Sequence, residues 1–277
     1  MIHLFALLSL LLCGVCYTGF QNSSHFHNTS NRRSLLLLVF GGALLLRLLL
    51  AYTTHGFSND IACFAAWADR IFTLGPGQFY SAEMFTDYPP GFMYVLYLIG
   101  ALRSLLQIPY YSDLHILLLK LPAILCDIAC GFLLYREAVK RLHFSDLQGI
   151  FAASAYLFQP AVILNSSCWG QVDSVYTLMI ILMCLFLMKG NLLPAYAVYG
   201  LGVLLKPQML IFTPVLLAGI WDHVFLQDFS WRKFFYNLCG GLVVICGMLL
   251  LCAPFGLTAA ISQYTSTLGS YEYAAIN

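Results

Sequence analysis

Apolar residues run through this chain in long blocks, with polar residues gathered in the intervals. Blocks of helix-spanning length, about 20 residues, occupy positions 3–20, 34–52, 113–135, 147–164, 172–188 and 235–253. A longer block, 192–221, exceeds one span and is interrupted at Lys206-Pro207, which predicts two shorter segments. The block at 3–20 lacks a basic leader and a small-residue cleavage motif, so it reads as a helix rather than a signal peptide. In the polar interval 53–89, Ile61, Phe64, Ala65 and Ala68 recur at helical spacing, which predicts an amphipathic helix at the membrane interface. Ser58 or Asn59 would cap that helix, with Asp60 in its first turn. The pattern as a whole predicts an all-α, polytopic membrane helix bundle.

Lysine and arginine orient the bundle. Arg32 with Arg33, then Arg136, Lys140 and Arg141, then Lys189, then Arg232 with Lys233, all fall on one side if alternate blocks cross the bilayer. That side is cytoplasmic, and the intervals 53–89, 165–173 and 254–277 face outward with the corner at Lys206. The block 91–106 does not fit as a simple crossing, because it lies between an outward interval and a span that starts outside. It either lies along the outer interface or dips in and returns, and an irregular backbone is expected there. The remaining alternative is a local failure of the charge rule.

Composition strengthens the membrane reading. Of 277 residues, 61% are hydrophobic and 9% charged, against roughly 25% charged in ordinary soluble domains. A net charge of +1 and the absence of a basic run argue against nucleic acid. Most of the ten cysteines sit inside apolar blocks, where cysteine behaves as a small hydrophobe. No CxxC pair is accompanied by a His/Cys cluster, so neither a metal nor another cofactor is expected. Cys63 and Cys168 are the two placed outside the membrane core, and spacing alone leaves a disulfide between them open.

The outward intervals hold the candidate chemistry. The first contains Asp60, Asp69, Arg70, Glu83 and the sequence DYPPG with Asp87 and Tyr88. The second reads NSSCWGQVDSVYT, with Trp169, Gln171 and Asp173; the third reads LLKPQMLIF, with Lys206 and Gln208. Structural readings compete with functional ones: Asp60 and Asp173 suit helix N-termini, Trp169 suits an interfacial belt, and Lys206 suits a snorkelling side chain. Against this, a lysine on the outer side opposes the charge rule, and ionisable residues within spans are candidates for function. Carboxylates, a cation, amides and aromatics on one face form the inventory needed to handle a sugar carried on a lipid phosphate.

The order of an outward acid, DYPP, a WGQVD loop and KPQ breaking a later helix resembles the GT-C superfamily of polyprenyl-phosphate-sugar-dependent glycosyltransferases. DYPP and the KPQ turn resemble those of the dolichyl-phosphate-glucose-dependent glucosyltransferases. With YTSTLGSYEYAAIN, the pattern is most similar to bacterial PIG-V-related, GPI mannosyltransferase-like proteins. The resemblance covers residues 34–277, leaving 1–33 as an extra helix and cytoplasmic loop ahead of the module.

The resemblance implies a metal-independent, inverting hexosyltransferase, with mannose the expected sugar, on the non-cytoplasmic face of a bacterial plasma membrane, or of the endoplasmic reticulum if the source is eukaryotic. Its partners would be a polyprenyl-phosphate-linked sugar donor and a glycan, lipid or protein acceptor in the bilayer. Asp60 would be the general base. Lys206, Gln208, Asp87, Tyr88, Trp169, Gln171 and Asp173 would bind donor phosphate and sugar. The alternative is a non-enzymatic transporter or flippase of lipid-linked sugars. Because the chain stops at Asn277 within an outward interval, it is expected to be an N-terminal fragment, inactive alone.

Overall fold

The computed structural model describes residues 10–12, 14, 17–19, 32–80, 85–227 and 229–262. Most of the block 3–20, Glu83 and the segment at 264–277 lie outside the described residues. Among the described residues every regular element is helical, as the block pattern predicts. The α-helices are α1 (Arg32–Thr53), α2 (Ser58–Leu74), α3 (Pro90–Leu105), α4 (Asp113–Lys140), α5 (Asp146–Leu157), α6 (Asp173–Met188), α7 (Leu192–Leu205), α8 (Thr213–Trp221) and α9 (Trp231–Cys252). Four stretches are long and apolar enough to cross a membrane: α1, α4, Pro207–Leu226 and Trp231–Phe255. A fifth is α5 taken with Pro160–Trp169. The protein is a multi-pass integral membrane protein.

Contacts divide the chain into two units. Unit 1 is Met1–Ala62 with Tyr110–Leu178, and unit 2 is Cys63–Pro109 with Met179–Asn277. Two of the three dividing points fall inside α2 and α6, and the third lies between α3 and α4.

In unit 1, α1, α4 and α5 meet around Ala43, Tyr135, Ile150, Ala153 and Leu157. Ser145 and Gln148 form a reciprocal capping box at the start of α5. The block 147–164, expected as one span, is instead two helical pieces bent by 51°. Pro160 is the cause: it has no amide hydrogen to donate and holds Gln159 extended, at φ −62° and ψ 120°. Beyond it, a short turn at Pro160–Ile163 widens into a π-helical turn over Leu164–Trp169.

In unit 2, the core gathers Met183, Leu192, Ala195, Tyr196, Met209, Leu216 and Val224. The long block breaks where expected. Lys206 turns extended at φ −153° and ψ 122°, a 3-10 turn runs over Pro207–Phe212, and α8 follows. The block 91–106 corrects an expectation, since it is regular helix throughout α3. Pro90 sits in the first turn, where a missing N–H costs nothing. Gly91 admits a close approach: a Cβ there would lie 2.6 Å from the Leu204 carbonyl oxygen. Charge bookkeeping across loops constrains topology, and it carries no information on whether a segment keeps its helical hydrogen bonds.

The amphipathic reading of α2 holds. Ile61, Phe64, Ala65 and Ala68 are all buried. Ser58 and Asn59, expected as caps, are the first two residues of the helix, with Asp60 in its first turn.

Candidate functional site

The site in unit 1 is organised by the π-helical turn Leu164–Trp169. Gly170 ends the turn in the left-handed region at φ +89°, and its amide and that of Gln171 both donate to the Asn165 carbonyl at 3.0 Å. A Cβ at Gly170 would meet Ile61 Cδ1 at 2.6 Å, so glycine is needed there for both conformation and space. This closure turns Trp169 and Gln171 toward the start of α2. Trp169 Nε1 donates to Asp60 Oδ2 at 2.9 Å, and Gln171 Nε2 donates to the same oxygen. The Phe57 amide donates to the Trp169 carbonyl at 2.8 Å, and the two rings pack with centroids 5.1 Å apart. Trp169 and Phe57 nevertheless stay exposed, and Asp60 is half-buried. Among the described residues, Asp60 Oδ1 makes no hydrogen bond. The result is an outward ledge of two aromatic rings with a carboxylate oxygen available beside them.

The turn's other face points inward to a second carboxylate. Asp127, in the middle of α4, is fully buried and takes four donors. Oδ2 accepts from Arg47 Nε at 3.2 Å and Ser166 Oγ at 2.6 Å. Oδ1 accepts from Ser174 Oγ at 2.5 Å and the Tyr156 hydroxyl at 3.2 Å. Arg47 is equally buried, and its Nη1 donates to the Ala43 carbonyl at 3.3 Å. A buried ion pair holds only where hydrogen bonds satisfy its remaining lone pairs, and here two serines and a tyrosine do so.

A third charge completes unit 1. Lys120 is fully buried, and its Nζ donates to the carbonyls of Ala51 at 3.2 Å and Thr54 at 2.6 Å. It also reaches Thr54 Oγ1 at 3.1 Å. These carbonyls belong to the end of α1, where orphan acceptors and the negative end of the helix dipole favour a cation. Thr54 Oγ1 in turn lies 3.3 Å from the Ser167 carbonyl, so α1 is tied to the same π-turn.

Asp60, Trp169 and Gln171 therefore meet, as the sequence suggests. Asp173 is placed differently: its Oδ2 accepts from Asn165 Nδ2 at 2.9 Å, at the start of α6. The other candidates lie in unit 2. Tyr88 packs against Phe64, Trp67 and Phe92 with centroids 5.4–5.6 Å apart. Trp67 Nε1 donates to the Phe85 carbonyl and the Tyr80 hydroxyl to the Tyr88 carbonyl, each at 2.9 Å, which pins the DYPP corner. Lys206 is buried, with Nζ 5.7 Å from the Tyr88 ring centroid, in the range of a cation–π contact. Asp87 is half-buried in that corner, and Gln208 is exposed on the 3-10 turn. Arg70 donates to the carbonyls of Phe79 and Gln78 at 2.9 and 3.1 Å, stapling its own loop. Cys63 and Cys168 are not bridged.

Arg47, Lys120 and Asp127 escape a reading that looks only at outward intervals. Their signal is present all the same: each is a lone charge inside an apolar block, in LLLRLLL, LLLKLP and LCDIAC.

No protein of curated function matches this chain. One family does, and its description is GPI transamidase subunit PIG-U, matched over residues 33–273. The resemblance to a membrane protein of the GPI pathway stands, and its mannosyltransferase part does not. The match overturns the polyprenyl-phosphate-dependent hexosyltransferase activity, the sugar donor as partner and the role of Asp60 as a base in that transfer. The flippase alternative gains no support either. The physical reason for the error is that carboxylate, amide, aromatic and cation suit any protein that handles a glycolipid, whatever bond is made. With nearly the whole described chain matched, this protein belongs to the PIG-U family of GPI transamidase subunits.

Proposed function

We propose that this chain is a membrane-embedded subunit of a GPI transamidase in the endoplasmic reticulum membrane, acting in the attachment of proteins to GPI anchors. The observation that carries this reading is the family match over residues 33–273. Residues 34–277 belong to one membrane module in this reading, with 1–33 appended to it. Its partners are the other protein subunits of the complex and the bilayer. Asp60, Trp169 and Gln171 offer a ledge for the polar part of the glycolipid: the exposed indole stacks on a sugar face, and Asp60 Oδ1 accepts from a hydroxyl or an amine. Lys206, beside Tyr88, supplies a positive charge for a phosphate, with Gln208 close to it in sequence and Asp87 next to Tyr88. Asp173 supports the ledge through Asn165.

The test removes the gene from a eukaryotic cell and follows a GPI-anchored reporter. The expected result is loss of the reporter from the cell surface, with unprocessed precursor and complete GPI lipid both accumulating. Accumulation of a GPI lipid lacking a sugar would overturn the proposal, because the block would then precede transamidation.

A further inference from the structure

Two neighbouring cavities in unit 2 share a lining residue. One, of about 400 Å³, lies between α7 and α9 and is walled by apolar groups including Leu216, Phe234, Gly241 and Met248. The other, of about 820 Å³, is formed by the 190–194 turn with His223, Ser230, Arg232 and Lys233. Asn237 lines both. Its amide donates to the Lys233 carbonyl at 2.8 Å, and its oxygen accepts from the Tyr196 hydroxyl at 3.4 Å, so it is fixed at the junction.

The wide cavity is basic. Arg232, Lys233 and His223 line it, and Lys189 immediately precedes the Gly190 turn. The neighbouring acid Asp222 accepts from Gln227 Nε2 at 2.6 Å. Among the described residues neither Arg232 nor Lys189 forms an ion pair. The smaller cavity is almost wholly apolar, and no residue of the α9 wall is buried, as suits a helix facing lipid. At Gly241 an added Cβ would meet nothing within 4 Å, so the groove runs open past that helix turn. A basic chamber that meets an apolar groove between spanning helices at Asn237 suits one kind of molecule, an amphiphile with an anionic head. The basic loops place the chamber at the cytoplasmic leaflet, where anionic phospholipids gather and basic pockets between helices hold their head groups.

We propose that this paired cavity binds an anionic phospholipid of the cytoplasmic leaflet. Arg232 and Lys233 hold the phosphate with His223 and Ser230, and one acyl chain lies along the groove past Gly241. The proposal does not depend on the transamidase reading.

The test uses the full chain purified in detergent, with binding of spin-labelled phosphatidylserine and phosphatidylcholine measured side by side. Wild type should prefer phosphatidylserine. R232Q/K233Q should weaken phosphatidylserine binding about fivefold per charge removed and weaken phosphatidylcholine, whose ammonium offsets the same phosphate, by less. Gly241→Leu, which fills the groove and favours helix, should weaken binding of the whole lipid while leaving soluble glycerophosphoserine unaffected. Equal binding of the two lipids by wild type, or no loss in Gly241→Leu, would refute the site. Competition by inorganic phosphate as effective as by whole lipid would leave an anion site without a tail, and would also refute it. If the double variant does not fold, the single variant Lys233→Gln and Gly241→Leu give the same readouts.

Discussion

The two units hold themselves together by different means. The interior of unit 1 carries Arg47, Lys120 and Asp127, all fully buried and each held by two or more hydrogen bonds. The interior of unit 2 is built from Met183, Ala195, Met209 and Leu216; it buries Lys206 against the Tyr88 ring and places Arg232 and Lys233 at a cavity mouth. In lipid the hydrophobic effect between helices vanishes, so packing and hydrogen bonds must select the arrangement. Packing in unit 2 tolerates many similar shapes. The network in unit 1 is more demanding, because the donors to Asp127 on α4 come from α1, α5, the π-turn and α6, which must be in place together. Unit 1 thus has the rigid device, and the exposed ledge at Asp60 is mounted on it through the same turn.

The sharpest way to break this contrast is to remove half of the buried pair. Arg47→Met leaves Asp127 as an uncompensated charge and should cost about 3–5 kcal/mol, measured by denaturant unfolding in detergent. Arg47→Met combined with Asp127→Leu should cost clearly less than the single change. Equal costs would mean that the pair is a passenger and that unit 1 is held as unit 2 is. Met209→Ala in unit 2, a fully buried side chain, should cost about 2–4 kcal/mol through the cavity it leaves, with no rescue by a second substitution nearby. Gly170→Ala should cost about 1–2 kcal/mol, from the left-handed backbone and the Ile61 contact. It should also release Trp169 from Asp60, seen as a shift in the Trp169 contribution to fluorescence. Trp169→Phe is the smallest in stability, below about 1 kcal/mol for a hydrogen bond at an exposed edge. In cells it should still lower the surface level of a GPI-anchored reporter, and an unchanged level would remove the ledge from the proposed function.

Much of the fold could be read from residue spacing. The buried stripe of α2 follows from Ile61, Phe64, Ala65 and Ala68, and the break after Leu205 follows from a proline next to a lysine. The bend before Pro160 carried the same kind of signal and is visible in hindsight at Gln159-Pro160. What spacing could not reveal is pairing between distant blocks. Nothing in LLLRLLL says that its partner is LCDIAC rather than lipid headgroups. The candidate site was half legible for the same reason: Asp60, Trp169 and Gln171 converge, whereas Asp173 turns to Asn165 and Gln208 faces outward. Function was the least legible, since side chains suited to sugars and phosphates recur wherever glycolipids are handled.

The Arg47–Asp127 pair also sets a schedule for biogenesis. The two residues are 80 positions apart, so α1 leaves the ribosome well before α4 exists. During that interval the Arg47 guanidinium faces an insertion penalty of up to about 2.5–3.5 kcal/mol, which the leucine-rich remainder of α1 outweighs. The helix α1 can therefore enter the bilayer with its cation still unpaired, and the arrival of α4 is what neutralises it.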